Sequence, residues 1–295
     1  MDIDNIDPDS GAFPSPMISY LDRDERHITK PPLPNWVTRA YGGNISFPDA
    51  QAERPYLFAN FVQGMDGVVS FQLPGQASGG PVSGFNAQDQ FLMAVLRAAA
   101  DAVMVGAGTL RAEPEHRWIP EHIYPKGGQS LWTGLRKRFG KQPNPINAFV
   151  TASGDINLGA VVFQQSNIRC VVFTTKTGAE RIAGMRAAHP DAKLEVIVVG
   201  DRTVDLPEML RRFRTEFGVE HLLVEGGPQL MGDFLSQDLM DEVFLTIAPQ
   251  VIGTDGNRPT FAKGKPFTPQ TARWWKLVSA KGWGDYLYTR YRFKR

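Results

Sequence analysis

Ala102-Val103-Met104-Val105-Gly106-Ala107-Gly108-Thr109 is an apolar run that breaks into a glycine turn and then into a helical pattern. A short run that is apolar throughout fits a strand buried on both faces, as in a parallel sheet covered by helices on either side. The design recurs in His221-Leu222-Leu223-Val224-Glu225-Gly226-Gly227-Pro228, which leads into an apolar stripe at Leu230, Met231, Phe234 and Leu235. Glycine lets a backbone approach a ligand closely, and free N–H groups where a helix starts favour phosphate. Two such turns at the carboxyl ends of parallel strands predict one crevice for a nucleotide diphosphate. Taken singly, either is equally an ordinary turn that needs positive φ. Neither is a dinucleotide fingerprint or a Walker loop: Arg111 stands where the third glycine would be, and no acidic residue ends a second strand at the required distance.

Outward from these turns, further β-rich runs lie at Tyr56 to Val62, Asn147 to Thr151, Val171 to Thr174 and Leu194 to Val199, alternating with amphipathic stretches. That alternation predicts parallel strands joined by crossover helices. Phe91, Leu92, Val95, Leu96 and Ala99 share one helical stripe, with Asn86 as N-cap and Asp89 three residues later as its capping partner; Asp205 and Glu208 repeat the arrangement. Trp274 to Ser279 and Tyr286 to Phe293, separated by a turn containing Gly282 and Gly284, predict an antiparallel hairpin, so the sheet is mixed.

Residues 1–53 are proline-rich without a sustained period and read as an extended arm, docked locally by Trp36, Val37 and Tyr41; residues 54–295 form the main domain. A long connection at about 113–145 reads as a functional or inserted loop. Hydrophobic residues at 42% and charged residues at 21% are ordinary for a globular chain. A formal charge of +1 supplies no global field for nucleic acid or an anionic membrane, which leaves a small-molecule partner. The single cysteine, Cys170, reads as a buried strand residue, and an acidic start at Asp2, Asp4 and Asp7 is unlike a signal peptide, so a cytoplasmic location is expected. His116 and His122 match no metal-binding spacing, and no metal is expected.

Four segments together resemble the reductase domain of bacterial riboflavin biosynthesis, whose fold is like that of dihydrofolate reductase, a three-layer α/β/α arrangement. They are Ala59-Asn60-Phe61 through Met65-Asp66-Gly67; Leu96-Arg97-Ala98 through Asp101-Ala102 to Thr109; Val224 to Pro228 through Asp241-Glu242 to Ala248-Pro249; and Tyr286 to Tyr291. They stand in family order and span about Arg54 to Phe293. The resemblance implies an NADPH-dependent reductase of a 5-amino-6-(5-phosphoribosylamino)uracil-type pyrimidine, delivering hydride to ribose C1′, and a homodimer in which Val243 to Ile247 and the C-terminal hairpin supply interface surface.

By the same resemblance Gly106, Gly108, Thr109, Gly226, Gly227 and Pro228 hold the cofactor phosphates, Thr151 and Ser153 line its nicotinamide or ribose side, and Thr174, Thr175 and Lys176 meet the adenosine end, with Lys176 or Arg181 for a 2′-phosphate. Asp66 and Glu225 are the catalytic carboxylates, one stabilising positive charge near C1′ and one holding the pyrimidine N–H edge. Each also has a plain structural reading: Asp66 as a turn residue before Gly67, Glu225 as an acid at a helix start. Asn60, Ser83, Glu113 and Arg117 are the substrate contacts, although Arg117 lies one residue closer to Thr109 than the family's phosphate-binding arginine does, and Ser83 is equally a helix cap. Two other functions remain open: reduction of a pterin or dihydrofolate ring, and NADPH binding without turnover. The deaminase zinc signature does not occur in this sequence.

Overall fold

The apolar runs become strands of one 10-stranded sheet in the order β1-β9-β10-β8-β2-β7-β3-β4-β5-β6, seen in a computed structural model that describes residues 3–4, 6–24, 33–73 and 78–294. The central strands are β2 (Tyr56–Gln63), β3 (Ala102–Gly106), β4 (Ile146–Thr151), β5 (Cys170–Thr174), β6 (Glu195–Val198), β7 (His221–Val224) and β8 (Glu242–Ile247), and every pairing among them is parallel. β9 (Trp275–Trp283) and β10 (Tyr286–Phe293) form the hairpin, which joins β8 antiparallel. Gly282 lies inside β9 rather than in the turn. A Cβ there would stand 2.4 Å from the hydroxyl of Tyr20, whose ring crosses the strand at that point.

Side chains along β2 and β3 alternate between two cores, as the pleat requires. Phe58, Val103 and Val105 face one core with Trp36, Phe91, Trp132 and Phe163. Leu57, Ala59, Ala102 and Met104 face the other, with Met209, Leu210, Phe213 and Phe234. The first core lies under α1 (Asn35–Tyr41), α3 (Ala87–Ala99) and α6 (Gly128–Arg138); the second lies under α8 (Leu206–Thr215) and α9 (Pro228–Ser236). The result is three layers with a mostly parallel sheet in the middle.

Two sequence readings look different in three dimensions. Residues 1–53 are more than an arm: β1 (Ile18–Asp22) pairs with β9, and Trp36 and Val37 of α1 are fully buried in the first core. Pro31 and Pro32, read as part of that arm, lie outside the described residues. The long connection carries α5 (Pro120–Ile123) and α6, and Trp132 of α6 donates its indole N–H to the Tyr124 carbonyl at 2.9 Å. Buried tryptophans need such a partner, and this one closes the segment onto the core.

Candidate active site

β3 and β7 are neighbours, so the turns that follow them meet. The Gly106 N–H donates to the Gly226 carbonyl at 2.8 Å, and the Glu225 N–H donates to Met104 at 3.0 Å. Gly226 holds φ +113°, a conformation that residues with side chains rarely adopt, so the second turn requires glycine at that position. α4 (Ala107–Ala112) and α9 both begin here. The fused turns form a ridge with a hollow on each side.

One hollow, a cleft of about 500 Å³, is walled by Gly106, Ala107, Gly108, Arg111, Thr151 and Ser153, with Gln229 and Asp233 opposite. The other, a cavity of about 280 Å³, is lined by Asn60, Ser83, Asp89, Arg97, Thr109, Glu113, His116 and Glu225, and Gly226, Gly227 and Pro228 close it. Of the substrate and catalytic assignments, Asn60, Ser83, Glu113 and Glu225 line the cavity. Of the cofactor assignments, Gly106, Gly108, Thr151 and Ser153 line the cleft, whereas Thr109, Gly226, Gly227 and Pro228, expected at the cofactor phosphates, line the cavity instead because they form its side of the ridge.

Five assigned residues are not brought to either hollow. The Asp66 carboxylate is exposed and accepts backbone N–H bonds from Gly253 (2.6 Å), Ile252 (3.0 Å) and Val68 (3.4 Å), and these donors, Gly253 foremost, hold its pKa below the usual carboxylate range. It therefore ties the loop after β2 to the loop after β8. Thr174 and Thr175 are buried at the end of β5; the Thr175 hydroxyl donates to the Ala152 carbonyl at 2.7 Å and accepts from the Gly178 N–H at 3.1 Å as the cap of α7 (Lys176–Met185). Lys176 points outward to Asp201 at 2.8 Å. Arg117 lies behind the cavity wall, with Nε and Nη2 at 3.3 and 3.2 Å from His122 Nδ1.

The cavity contains three residues whose role spacing did not reveal. Asn86 caps α3 by accepting from Gln88 and Asp89 N–H groups, but the Asp89 side chain does not complete a capping box; it lines the cavity instead. Burial pushes its carboxyl up to about 6, opposed by the hydroxyls of Thr246 and Ser83, while Glu225 adds repulsion. Arg97, hidden in the apolar stripe, is 1% exposed and grips Glu225 with Nε at 2.9 Å and Nη2 at 2.6 Å. Arg97 Nη2 also lies 3.0 Å from His116 Nε2, and His116 Nδ1 lies 3.0 Å from a Glu113 oxygen. Because a guanidinium only donates, Nε2 accepts and the imidazole proton sits on Nδ1, facing Glu113. Burial holds the His116 pKa below its ordinary value, which keeps the ring neutral. Glu113, His116, Arg97 and Glu225 thus form one wired wall.

Residues 55–284 match the family of the RibD C-terminal domain. The chain belongs to that family. It is accordingly an oxidoreductase of the pyrimidine reductase kind. Its similar relatives include the 2,5-diamino-6-ribosylamino-4(3H)-pyrimidinone 5′-phosphate reductase of Archaeoglobus fulgidus, 28% identical over 214 residues, covering 72% of this chain and 89% of that one. The reductase of the same name from Aquifex aeolicus is 27% identical over 220 residues, or 73% of this chain and 85% of that one. Among solved structures, a pyrimidine reductase-like protein from Corynebacterium diphtheriae superposes with a TM-score of 0.63 at 23% identity, over 82% of this chain and 92% of the other. Among the described residues, no helix is long and apolar enough to cross a membrane.

Proposed function

We propose that the chain is an NADPH-dependent reductase of a ribosylaminopyrimidine 5′-phosphate in riboflavin biosynthesis. The observation that carries this reading is the Gly106–Gly226 hydrogen bond, which makes one ridge between a glycine-walled cleft and a carboxylate-lined cavity. The cleft fits a dinucleotide on its own terms: open glycine backbone at Gly106 and Gly108, the first turn of α9 at Gln229 and Leu230 for a diphosphate, and Thr151 and Ser153 for ribose or nicotinamide. When bound, reduced nicotinamide supplies the hydride.

The chain's own residues then position the acceptor. Glu225, at the cavity floor and fixed by Arg97, stabilises the positive charge that an opened ribosyl iminium carries at C1′. Asn60 holds the ring, and the ridge of Gly226, Gly227 and Thr109 separates ring from cofactor so that the reacting atoms meet across it. Arg111 on the cleft wall and Arg181 nearby, drawn to Asp155 at 3.1 and 2.9 Å, are the cations we assign to the 2′-phosphate in place of Lys176. We place the enzyme in the cytoplasm as a homodimer. β8 lies inside the sheet and β1 covers the free edge of β9, so the paired surface is the outer face of β1 with its exposed Ile18 and Tyr20; sedimentation of an Ile18→Lys, Tyr20→Lys variant as a monomer would support it.

The test is to incubate the full chain with NADPH and ribosylaminopyrimidine phosphates and follow loss of nicotinamide absorbance. C1′-deuterated product from 4-deuterated NADPH is expected. Cofactor binding without oxidation across the panel would leave a nucleotide-binding protein, and oxidation by dihydrofolate alone would make it a pterin reductase.

A further inference from the structure

Phe85 lines the cavity, yet it is 65% exposed and joins none of the apolar cores formed by the described residues. Its backbone holds φ +55°, the left-handed region that a bulky side chain rarely adopts. The chain thus carries strain at this position without the burial that ordinarily repays a phenylalanine. Glycine would be the relaxed choice, as it is at the preceding Gly84, whose φ is +59°.

The surroundings enforce this conformation. The Phe85 N–H donates to the Gly80 carbonyl at 2.9 Å and closes the end of α2 (Gly79–Ser83). From the hairpin, the Tyr286 hydroxyl donates to the Ser83 carbonyl at 2.9 Å and the Tyr288 hydroxyl donates to Asn86 Oδ1 at 2.8 Å, so the chain is pinned on both sides of Phe85. The ring lies against Gly80, where a Cβ would stand 2.7 Å from Phe85 Cε1; glycine at that position leaves the room that the ring takes. Strain held in place by several independent contacts is what a side chain placed for a ligand requires. The cavity says what kind of ligand. Asn60, Arg97 and Glu225 are polar groups that meet an occupant at its edges, whereas an exposed ring at the mouth offers a π face.

Resting on the reductase reading above, we propose that Phe85 is a substrate-binding residue, the aromatic platform on which the planar heterocycle stacks at the cavity mouth. Stacking takes the exposed ring and one face of the ligand out of water together, and it needs no hydrogen bond. The platform therefore reads flatness and leaves the ring substituents to the polar groups deeper in the cavity.

The test sets binding against stability. Kinetics with NADPH and 2,5-diamino-6-ribosylamino-4(3H)-pyrimidinone 5′-phosphate are measured for wild type, Phe85→Gly, Phe85→Leu and Phe85→Trp. In Phe85→Gly the KM for the pyrimidine is expected to rise about 5–150-fold, the worth of one aromatic–base stack, while the KM for NADPH stays within about twofold. Its thermal midpoint should stay level or rise, because glycine relieves the left-handed backbone. Phe85→Leu, apolar but without a π face, should lose binding as well, and Phe85→Trp should keep it within about threefold. As competitive inhibitors of wild type, uracil should outdo 5,6-dihydrouracil, which carries the same edge groups on a puckered ring, and the difference should vanish in Phe85→Gly. An unchanged pyrimidine KM in both Phe85→Gly and Phe85→Leu, or equal inhibition of wild type by the two rings, overturns the inference and leaves the reductase reading intact. A lower thermal midpoint in Phe85→Gly, or an altered sedimentation coefficient, also overturns it, since the ring would then serve the fold or a second copy of the chain. No turnover by wild type overturns both readings.

Discussion

Two buried arginines organise opposite parts of this molecule. Arg290 of β10 and Arg97 of α3 are both 1% exposed, and each grips a glutamate beside a strand terminus. Arg290 is sealed: Glu242 is fully buried, Asp24 lies 2.8 Å away, the Ser46 carbonyl accepts at 2.7 Å, and the rings of Phe47 and Phe244 flank the guanidinium. Burial opposes its charge, but Glu242 and then Asp24 outweigh that, so its pKa ends above the ordinary value. Arg97 instead reaches a cavity through Glu225 and is wired to His116. Burial and charge are alike in the two clusters. What separates a clamp from a functional group is an open face, and the Arg290 cluster has none, since its partners come from the N-terminal segment and β8.

Removing each guanidinium breaks the comparison most forcefully. Arg97→Met leaves Glu225 charged and unpaired, a loss of about 3–5 kcal/mol. It also strips the cavity of its positioned carboxylate, so kcat is expected to fall about 10²–10³-fold in whatever protein remains folded. Arg290→Met takes the buried guanidinium from Glu242 and Asp24, which keep Arg292, and is expected to cost up to a similar ~3–5 kcal/mol by urea denaturation. Its kcat/KM per folded molecule should stay within about twofold, because no Arg290 partner lines either hollow. Equal kinetic damage from both variants would refute the distinction.

A milder probe exploits the cost of burying Asp89. Its carboxyl rises from the ordinary 3.8 to about 6 because burial disfavours the charge. The folded chain therefore keeps a proton that the unfolded chain releases between those values. Stability from this group is full below pH 4, declines as pH rises, and is gone above about pH 6, a change on the order of 3 kcal/mol. Asp89→Asn removes the dependence. Its midpoint in thermal melts should match wild type near pH 4 and exceed it at pH 8. A variant less stable at pH 8 would contradict this.

The sequence made the sheet and the ridge legible because both are local patterns: apolar runs of strand length, and glycines immediately after them. The start of α3 shows where local reading stops. Asn86 and Asp89 stand at capping spacing, yet the direction of the Asp89 side chain depends on Thr246 and Ser83, which lie elsewhere in the chain. Arg97 stands in the sequence only within the Leu96-Arg97-Ala98 segment of the family resemblance, with no role assigned, because its partner Glu225 is 128 residues away. The same long-range dependence hid β1, whose pairing is with β9 near the other end of the chain. Thr174, Thr175 and Lys176 sit at the predicted strand end, but two of them turn inward to build the next turn and the third points outward to Asp201. Strand ends are therefore predictable from sequence, while side-chain aim at those ends is not.

The smallest expected effect concerns Arg117, the cation expected from the family resemblance to meet a substrate phosphate. Its guanidinium instead faces His122, whose pKa burial lowers to about 4, leaving a neutral acceptor; the ring of His122 in turn packs edge-on against His116 at 4.5 Å. Truncating a half-buried side chain in such a contact changes stability by about 1 kcal/mol or less. Arg117→Ala should raise the KM for a phosphorylated substrate less than about threefold, since direct loss of a charged hydrogen bond to phosphate is worth about 1.5–3 kcal/mol, roughly 10–150-fold. A rise of that larger size, with kcat unchanged, would mean that the Arg117–His122 pair opens on binding and that Arg117 turns into the cavity. The wired wall of Glu113, His116 and Arg97 would then have to move with it, because the Arg117 carbonyl is itself an acceptor for Arg97 at 3.4 Å.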